Sequence, residues 1–98
     1  MFLARVVGSV VATRKHDGFQ GSKLLLLQPL VAQQRALVAS GSSVVAVDGV
    51  GAGLGELVMF TQGSSARLAA RSKDTPVDAI IVGIVDRVEI EGTKLERV

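Results

Sequence analysis

The segment Val47 to Phe60, VDGVGAGLGELVMF, has the glycine content of a nucleotide-binding loop, with glycine at every second position from Gly49 to Gly55. A dinucleotide loop has the spacing G-x-G-x-x-G, follows a strand and opens a helix whose N-terminus meets the pyrophosphate. Here the spacing is G-x-G-x-G-x-G, and residues 56–61, ELVMFT, are rich in β-prone side chains. The segment therefore lacks both the spacing and the helix that a nucleotide needs.

Other residues that could do chemistry are few. The segment Asp17 to Lys23, DGFQGSK, has glycine only three positions before Gly21 and the order Gly-Ser-Lys, whereas a phosphate loop has G-x-x-x-x-G-K-[ST]; a hairpin turn is favoured. His16 is the single histidine and cysteine is absent, so a histidine metal site could form only across a symmetry axis, and an exposed turn residue is favoured. No serine and carboxylate have a spacing that indicates a nucleophile and its base. The sequence predicts no catalytic residue, no metal site and no cofactor.

Composition points instead to surface that must be covered. The chain has 98 residues, of which 48% are hydrophobic, and a mean hydropathy of +0.44. A domain of this size buries only roughly 60–70% of the surface of its unfolded chain, so apolar surface is left over and oligomerisation is expected.

The longest apolar runs, at residues 24–27 and 79–85, are far shorter than the ~20 residues of a membrane-spanning helix. Arg5 within the apolar start argues against a secretory signal, and the scattered basic residues argue against a polyanion site.

The elements that would position any site are mainly strands. Alternation and β-branched residues predict a first long strand, in which Gly8 marks a bend or bulge. Residues 31–39 carry good helix formers without a clear cap, so their state is left open. Ser64 or Ser65 can cap a short helix over ARLAAR, before Thr75-Pro76 ends that segment. The five predicted strands are Phe2–Arg14, Lys23–Leu27 with its end near Pro29, Ser43–Val47, Glu56–Thr61 and Asp78–Glu91.

This pattern predicts an all-β fold: a single domain over residues 1–98, built as a small five-stranded OB-like β-barrel with one short helix. Barrels of this kind bind single-stranded nucleic acid through stacking aromatics. The aromatic residues here are Phe2, Phe19 and Phe60. Phe2 and Phe60 fall in strand patterns and are expected in the core, while Phe19 lies in a glycine turn. Nucleic-acid binding is therefore disfavoured, although a monomeric single-stranded nucleic-acid or ligand-binding module stays open as an alternative, as does an enzyme.

Four blocks of the chain, in order, resemble the pentameric vertex proteins of bacterial microcompartment shells, the EutN/CcmL family. They are GSKLLLLQPL at residues 21–30, the glycine segment at 47–60, QGSSAR at 62–67 and PVDAIIVGIVDRVEI at 76–90. The resemblance implies a cyclic homopentamer that closes the five-fold corners of a polyhedral protein shell in the cytoplasm. It implies hexameric shell proteins as the other partners, and no cofactor, nucleic acid or membrane.

The resemblance also implies a set of motif residues that could form a subunit interface. Its glycines would let the backbone approach another chain closely, or they could form a hairpin without any such role. Glu56 and Arg67 could pair within or between subunits, or their match could be incidental. Asp48, Asp78 and Asp86 also match the family, with turn capping as the simpler interpretation. The implied residues are Gly51, Ala52, Gly53, Gly55, Glu56, Gly63, Ser64, Ser65, Ala66 and Arg67.

Overall fold

The computed structural model describes residues 1–12, 23–64, 66 and 78–96. These residues are nearly all in strands or in the turns between them, which confirms the predicted all-β class. No described segment forms a helix long and apolar enough to cross a membrane. The strands are β1 (Phe2–Val10), β2 (Leu24–Gln33), β3 (Ala36–Ala39), β4 (Val44–Asp48), β5 (Leu57–Gln62), β6 (Ala79–Ile84), β7 (Arg87–Ile90) and β8 (Thr93–Glu96).

Five of these strands form a closed ring of backbone pairings in the order β1-β5-β6-β4-β2, with β2 pairing again with β1. The pairing of β4 with β6 is parallel and the other four are antiparallel. Strand β3 extends one edge by pairing with the second half of β2, and β7 and β8 form a separate hairpin. Because the ring is closed, each of its five strands pairs with a neighbour on both sides over part of its length. These strands therefore do not form the open sheet edge through which a small sheet can associate with another chain.

The core fills the inside of the ring. Alternate side chains point inward, and residues that face each other across the pairings, such as Ala4 and Val58, are buried together. Burying a large apolar side chain stabilises a fold by roughly 1.5–3 kcal/mol, so this cluster is the main source of cohesion in the protomer. Its buried members are Ala4, Val6, Leu25, Leu27, Ala46, Ala52, Val58, Phe60, Ala79 and Ile81.

The bulge predicted at Gly8 is confirmed. Val6 pairs with Leu27 and Gly8 pairs with Leu26, so Val7 is an extra residue in β1 with no partner on β2. A bulge bends its strand and increases the local twist, which lets the long strand β1 pair with two neighbours in a small closed ring. The same extra residue leaves the side chain of Val7 47% exposed.

Strand β2 does not end near Pro29, as the sequence indicated, but continues to Gln33. Pro29 lies between the residues of β2 that pair with β4, which end at Leu27, and those that pair with β3, which begin at Leu30. A proline is tolerated at this change of partner because it has no N–H to donate, while its carbonyl oxygen still accepts a hydrogen bond from the Ser40 N–H at 3.0 Å.

Residues 31–39, whose state the sequence left open, complete a β-hairpin. Its turn is formed by Gln34 and Arg35, which have φ values of 51° and 62°. Left-handed residues in a two-residue hairpin turn are usually Asn or Gly. The absence of that signal explains why the sequence did not predict the hairpin.

Two further expectations are wrong. The last run does not form one strand: β6 ends at Ile84, and β7 pairs with β8 instead of the ring. Phe2 is not a core residue, since 51% of it is exposed, although its ring lies 5.4 Å from that of the buried Phe60. The predicted short helix over residues 66–71 falls outside the described residues except for Ala66, and so do Phe19, His16 and the DGFQGSK turn apart from its final lysine.

Candidate functional site

The candidate site is the glycine loop, defined as residues 49–56, which connects β4 to β5. The loop crosses one end of the ring of strands. At its start the Asp48 N–H donates to the carbonyl oxygen of Lys23 at 2.9 Å, and at its end Gly55 and Glu56 exchange backbone hydrogen bonds with Val6. Between these ends Ala52 is 1% exposed and belongs to the core cluster. The loop therefore closes this end of the ring with its own buried residue.

Asp48 fixes the first half of the loop. Its Oδ1 accepts hydrogen bonds from the backbone N–H groups of Val50, Gly51 and Ala52 at 3.0, 3.0 and 3.1 Å. An aspartate that binds the backbone two and more residues ahead is a standard way to stabilise a tight turn. Turn capping is thus the observed role of Asp48, and it orders three consecutive peptide groups.

Three more charged side chains fix the second half. Glu56 Oε1 accepts a hydrogen bond from the Gly53 N–H at 2.7 Å. Arg5 donates from Nη1 to the Gly55 carbonyl oxygen at 2.9 Å, and Lys23 donates from Nζ to the Ala52 carbonyl oxygen at 3.2 Å. Hydrogen bonds in which one partner is charged are stronger than neutral ones. The loop is consequently held at both carbonyl and amide groups along its length.

The four alternating glycines differ in how strongly, and why, the fold excludes a side chain at their positions. Gly51 and Gly55 have φ values of 82° and 86°, which L side chains rarely adopt. Gly49 is needed for a different reason, because a Cβ there would lie 2.8 Å from the Ile81 carbonyl oxygen. At Gly53 the nearest atom to an added Cβ is the flexible Glu56 Oε1 at 3.4 Å, so the protomer itself barely constrains that position.

The other predicted block, at residues 63–67, lies beyond β5. Gly63 donates its N–H to the Asp78 carbonyl oxygen at 2.8 Å, and its own carbonyl oxygen accepts from the Ala66 N–H at 3.1 Å. Ala66 is buried beside Ile80 in a second small cluster, and Ser64 is exposed. Ser65 and Arg67 lie outside the described residues, so the pairing of Glu56 with Arg67 stays a prediction.

Ala52 and Ala66 are buried within the protomer, so the two alanines support the fold and are not available on the protomer surface. Gly51, Gly55 and Glu56 are exposed, and so are Gly63 and Ser64. The sequence did not single out Leu54, which is 77% exposed at the centre of the loop's second half. Its position between two glycines was the available signal.

The loop is poorly suited to bind phosphate or a metal ion. A phosphate would need the backbone N–H groups of residues 50–53, but Asp48 and Glu56 already accept those hydrogen bonds, and their carboxylates would repel an anion. In the part of the chain that the structure describes, no group of three or more potential metal ligands comes together. A rigid loop with an exposed apolar residue is suited to contact another protein surface.

The chain is similar to several known proteins. Residues 1–86 match the family model described as ethanolamine utilisation protein EutN/carboxysome. The bacterial microcompartment shell vertex protein GrpN of Rhodospirillum rubrum is 45% identical over 91% of this chain and 97% of its own length. The carboxysome shell vertex protein CcmL of Gloeobacter violaceus is 43% identical over 97% of this chain and 92% of its own length.

A solved structure gives the same relationship in three dimensions. The pentameric microcompartment shell protein GrpN from Rhodospirillum rubrum superimposes with a TM-score of 0.79 at 44% identity, covering 92% of this chain and 100% of that chain. The two chains therefore agree in sequence and in fold over more than nine tenths of their lengths. The chain belongs to the EutN/carboxysome family of microcompartment proteins.

Proposed function

We propose that this protein is a structural component of a bacterial microcompartment shell in the cytoplasm, where five copies form a cyclic pentamer at each five-fold vertex. The observation that carries the proposal is the match of 91% of this chain to GrpN, whose name is shell vertex protein and whose structure is pentameric. The family model matches residues 1–86, which include all five strands of the ring, so the protomer has the fold from which the assembly is built.

The surface of the protomer supports assembly independently. Large apolar side chains are exposed on the ring strands and on the glycine loop, among them Val7, Val45, Val50 and Leu54. Exposed apolar area of this extent on a small protein favours association. The motif residues that remain exposed, Gly51, Gly55 and Glu56 in the loop with Gly63 and Ser64 beside β5, are proposed to contact a neighbouring copy.

The proposed role is geometric and needs no catalysis. A flat layer of hexagonal tiles cannot close on itself unless pentagonal units are included, so a pentamer that fits among hexameric shell proteins performs its function by shape alone. The hexameric proteins are therefore the proposed partners at its rim. Contacts between separately folded tiles are expected to be smaller and more polar than the contacts among the five copies.

Nucleic-acid binding, the alternative from a different class, gains no support from the described aromatic residues. Phe60 is buried and cannot stack on a base, so the half-exposed Phe2 would be a single platform among the described aromatic residues. The charges beside the glycine loop are two acids and two bases that bind the loop's own backbone. They do not make the positive groove that single-stranded nucleic acid requires.

The proposal is tested by the native mass of the purified protein, measured by light scattering on a sizing column. A mass of five times the 10.2 kDa protomer at micromolar concentration is expected. A monomer at that concentration would remove the pentamer and with it the vertex role.

A test in the cell separates the shell role from an enzymatic one. In a strain that lacks the gene, electron microscopy is expected to show shell layers that stay open or grow into elongated tubes, while the enclosed enzymes keep their activity in lysate. Closed polyhedra in a strain without a second vertex protein would contradict the vertex role. Loss of enzyme activity in lysate would contradict the absence of a catalytic role.

A further inference from the structure

Four charged side chains around the glycine loop turn toward its backbone. Asp48 and Glu56 accept hydrogen bonds from loop N–H groups, and Arg5 and Lys23 donate to loop carbonyl oxygens. Residues 50–55 themselves include no ionisable residue. The loop is therefore built with polar groups on its inner side and an uncharged tip.

Leu54 is fixed at that tip. On one side the N–H of Gly53 is held by Glu56, and on the other the N–H of Gly55 donates to the Val6 carbonyl oxygen at 2.9 Å while its carbonyl accepts from Arg5. The backbone on both sides of Leu54 is thus held by hydrogen bonds to residues outside the tip. Its side chain nevertheless remains 77% exposed.

Two other exposed apolar residues belong to segments that join this tip, one along the chain and one through backbone hydrogen bonds. Val50 belongs to the same loop and is 42% exposed, and Val7 follows the residue that hydrogen-bonds to Gly55 and Glu56. Single exposed leucines are common on protein surfaces. A leucine on a loop whose backbone is already held by hydrogen bonds is different, because little conformational entropy is lost when it docks.

We infer that Leu54 is an apolar anchor through which the glycine loop of one copy docks on the next copy in the pentamer. The inference rests on the proposed pentamer and adds the residue that holds it together. The occupant is a second copy because the pentameric relative matches 92% of this chain, and because the uncharged tip suits an apolar surface. Contacts in a ring are heterologous, so the two sides of each interface differ and Leu54 belongs to one side only.

The test compares the oligomeric state of four proteins over a dilution series, with mass measured by light scattering and folding followed by circular dichroism. They are the wild type, Leu54→Asp, Leu54→Met and Gln33→Glu. Leu54→Met keeps an apolar side chain of similar size. Gln33→Glu adds the same negative charge at an exposed position of β2, so it controls for the change in net charge.

We expect Leu54→Asp to raise the concentration at which half of the chains are pentameric by at least about thirtyfold, because loss of an interface anchor commonly weakens binding by that factor. Leu54→Met and Gln33→Glu should stay close to the wild type. If Leu54→Asp were poorly folded, Leu54→Ala would decide the matter, with the same direction of change expected and the protomer spectrum unaltered.

The outcomes separate this inference from the proposed function. A wild-type pentamer together with Leu54 variants that dissociate no more readily than Gln33→Glu would overturn the anchor and leave the vertex role in place. A wild-type protein that is monomeric at micromolar concentration would overturn both. Selective dissociation of Leu54→Asp and Leu54→Ala supports the anchor.

Discussion

Gly49 packs against strand β6 so closely that a Cβ on it would lie 2.8 Å from the carbonyl oxygen of Ile81. The neighbour is backbone, which cannot move aside as a flexible side chain can. This contact holds the start of the glycine loop against the ring and is independent of any partner.

Gly49→Ala is therefore expected to destabilise the protomer by about 1–3 kcal/mol, the typical cost when added atoms force the surrounding backbone to shift. Urea unfolding at a low, fixed protein concentration measures this. Gly53→Ala is the matched control within the same loop, because its Cβ would meet only the movable Glu56 side chain at 3.4 Å. Equal stability of the two variants would show that the loop relaxes away from Ile81.

Gly53→Val should weaken the pentamer and leave the stability of the protomer almost unchanged. Gly53 is little constrained within the protomer, but it belongs to the glycine loop that is proposed to meet a neighbour. We expect the pentamer to dissociate at higher protein concentration while the circular dichroism spectrum of the protomer is retained. Sedimentation velocity at several concentrations gives both the mass and the exchange between species. An intact pentamer at nanomolar concentration would show that the loop backbone does not approach another chain at this residue.

Asp48→Ala should destabilise the loop strongly, because it removes the acceptor of three backbone N–H groups at once. Loss of a single cap costs ~1 kcal/mol, so a loss of about 1–3 kcal/mol is expected. Asp48→Asn retains a side-chain oxygen and should lose less. Hydrogen exchange of the Val50 to Ala52 amides is the direct measurement: if exchange in Asp48→Ala were no faster than in the wild type, the cap would be energetically unimportant.

Gln34→Asn should stabilise the β2–β3 hairpin. Gln34 has a φ of 51°, and Asn adopts this left-handed region more readily than Gln. A gain of about 0.5 kcal/mol in the free energy of unfolding is expected, with Gln33→Asn as the control at an ordinary strand position. The nearby ion pair between Arg35 and Glu91, 3.0 Å long with side chains 64% and 69% exposed, is not altered by this change and contributes only about 0–1 kcal/mol.

The local pattern of residue types was sufficient to predict much of the secondary structure. Alternation and β-branched residues predicted the positions of β1, β4 and β5 within a few residues, and Gly8 predicted the bulge. These features depend on neighbours along the chain, which the sequence displays. The hairpin at Gln34 and Arg35 was not predictable, because its turn uses residues that local preference disfavours and the strand pairing on both sides imposes.

Some features of the glycine loop were predictable from the sequence, and others depend on the tertiary structure. From sequence alone it followed that the loop is not a dinucleotide site, that Asp48 could cap a turn and that the chain resembles vertex proteins. Only the folded protomer decided that Ala52 closes the ring, that Gly49 meets Ile81 and that Leu54 is left exposed. Each of these features depends on contacts between segments that are distant along the chain. The spacing of residues within one segment does not predict which distant residues that segment will contact.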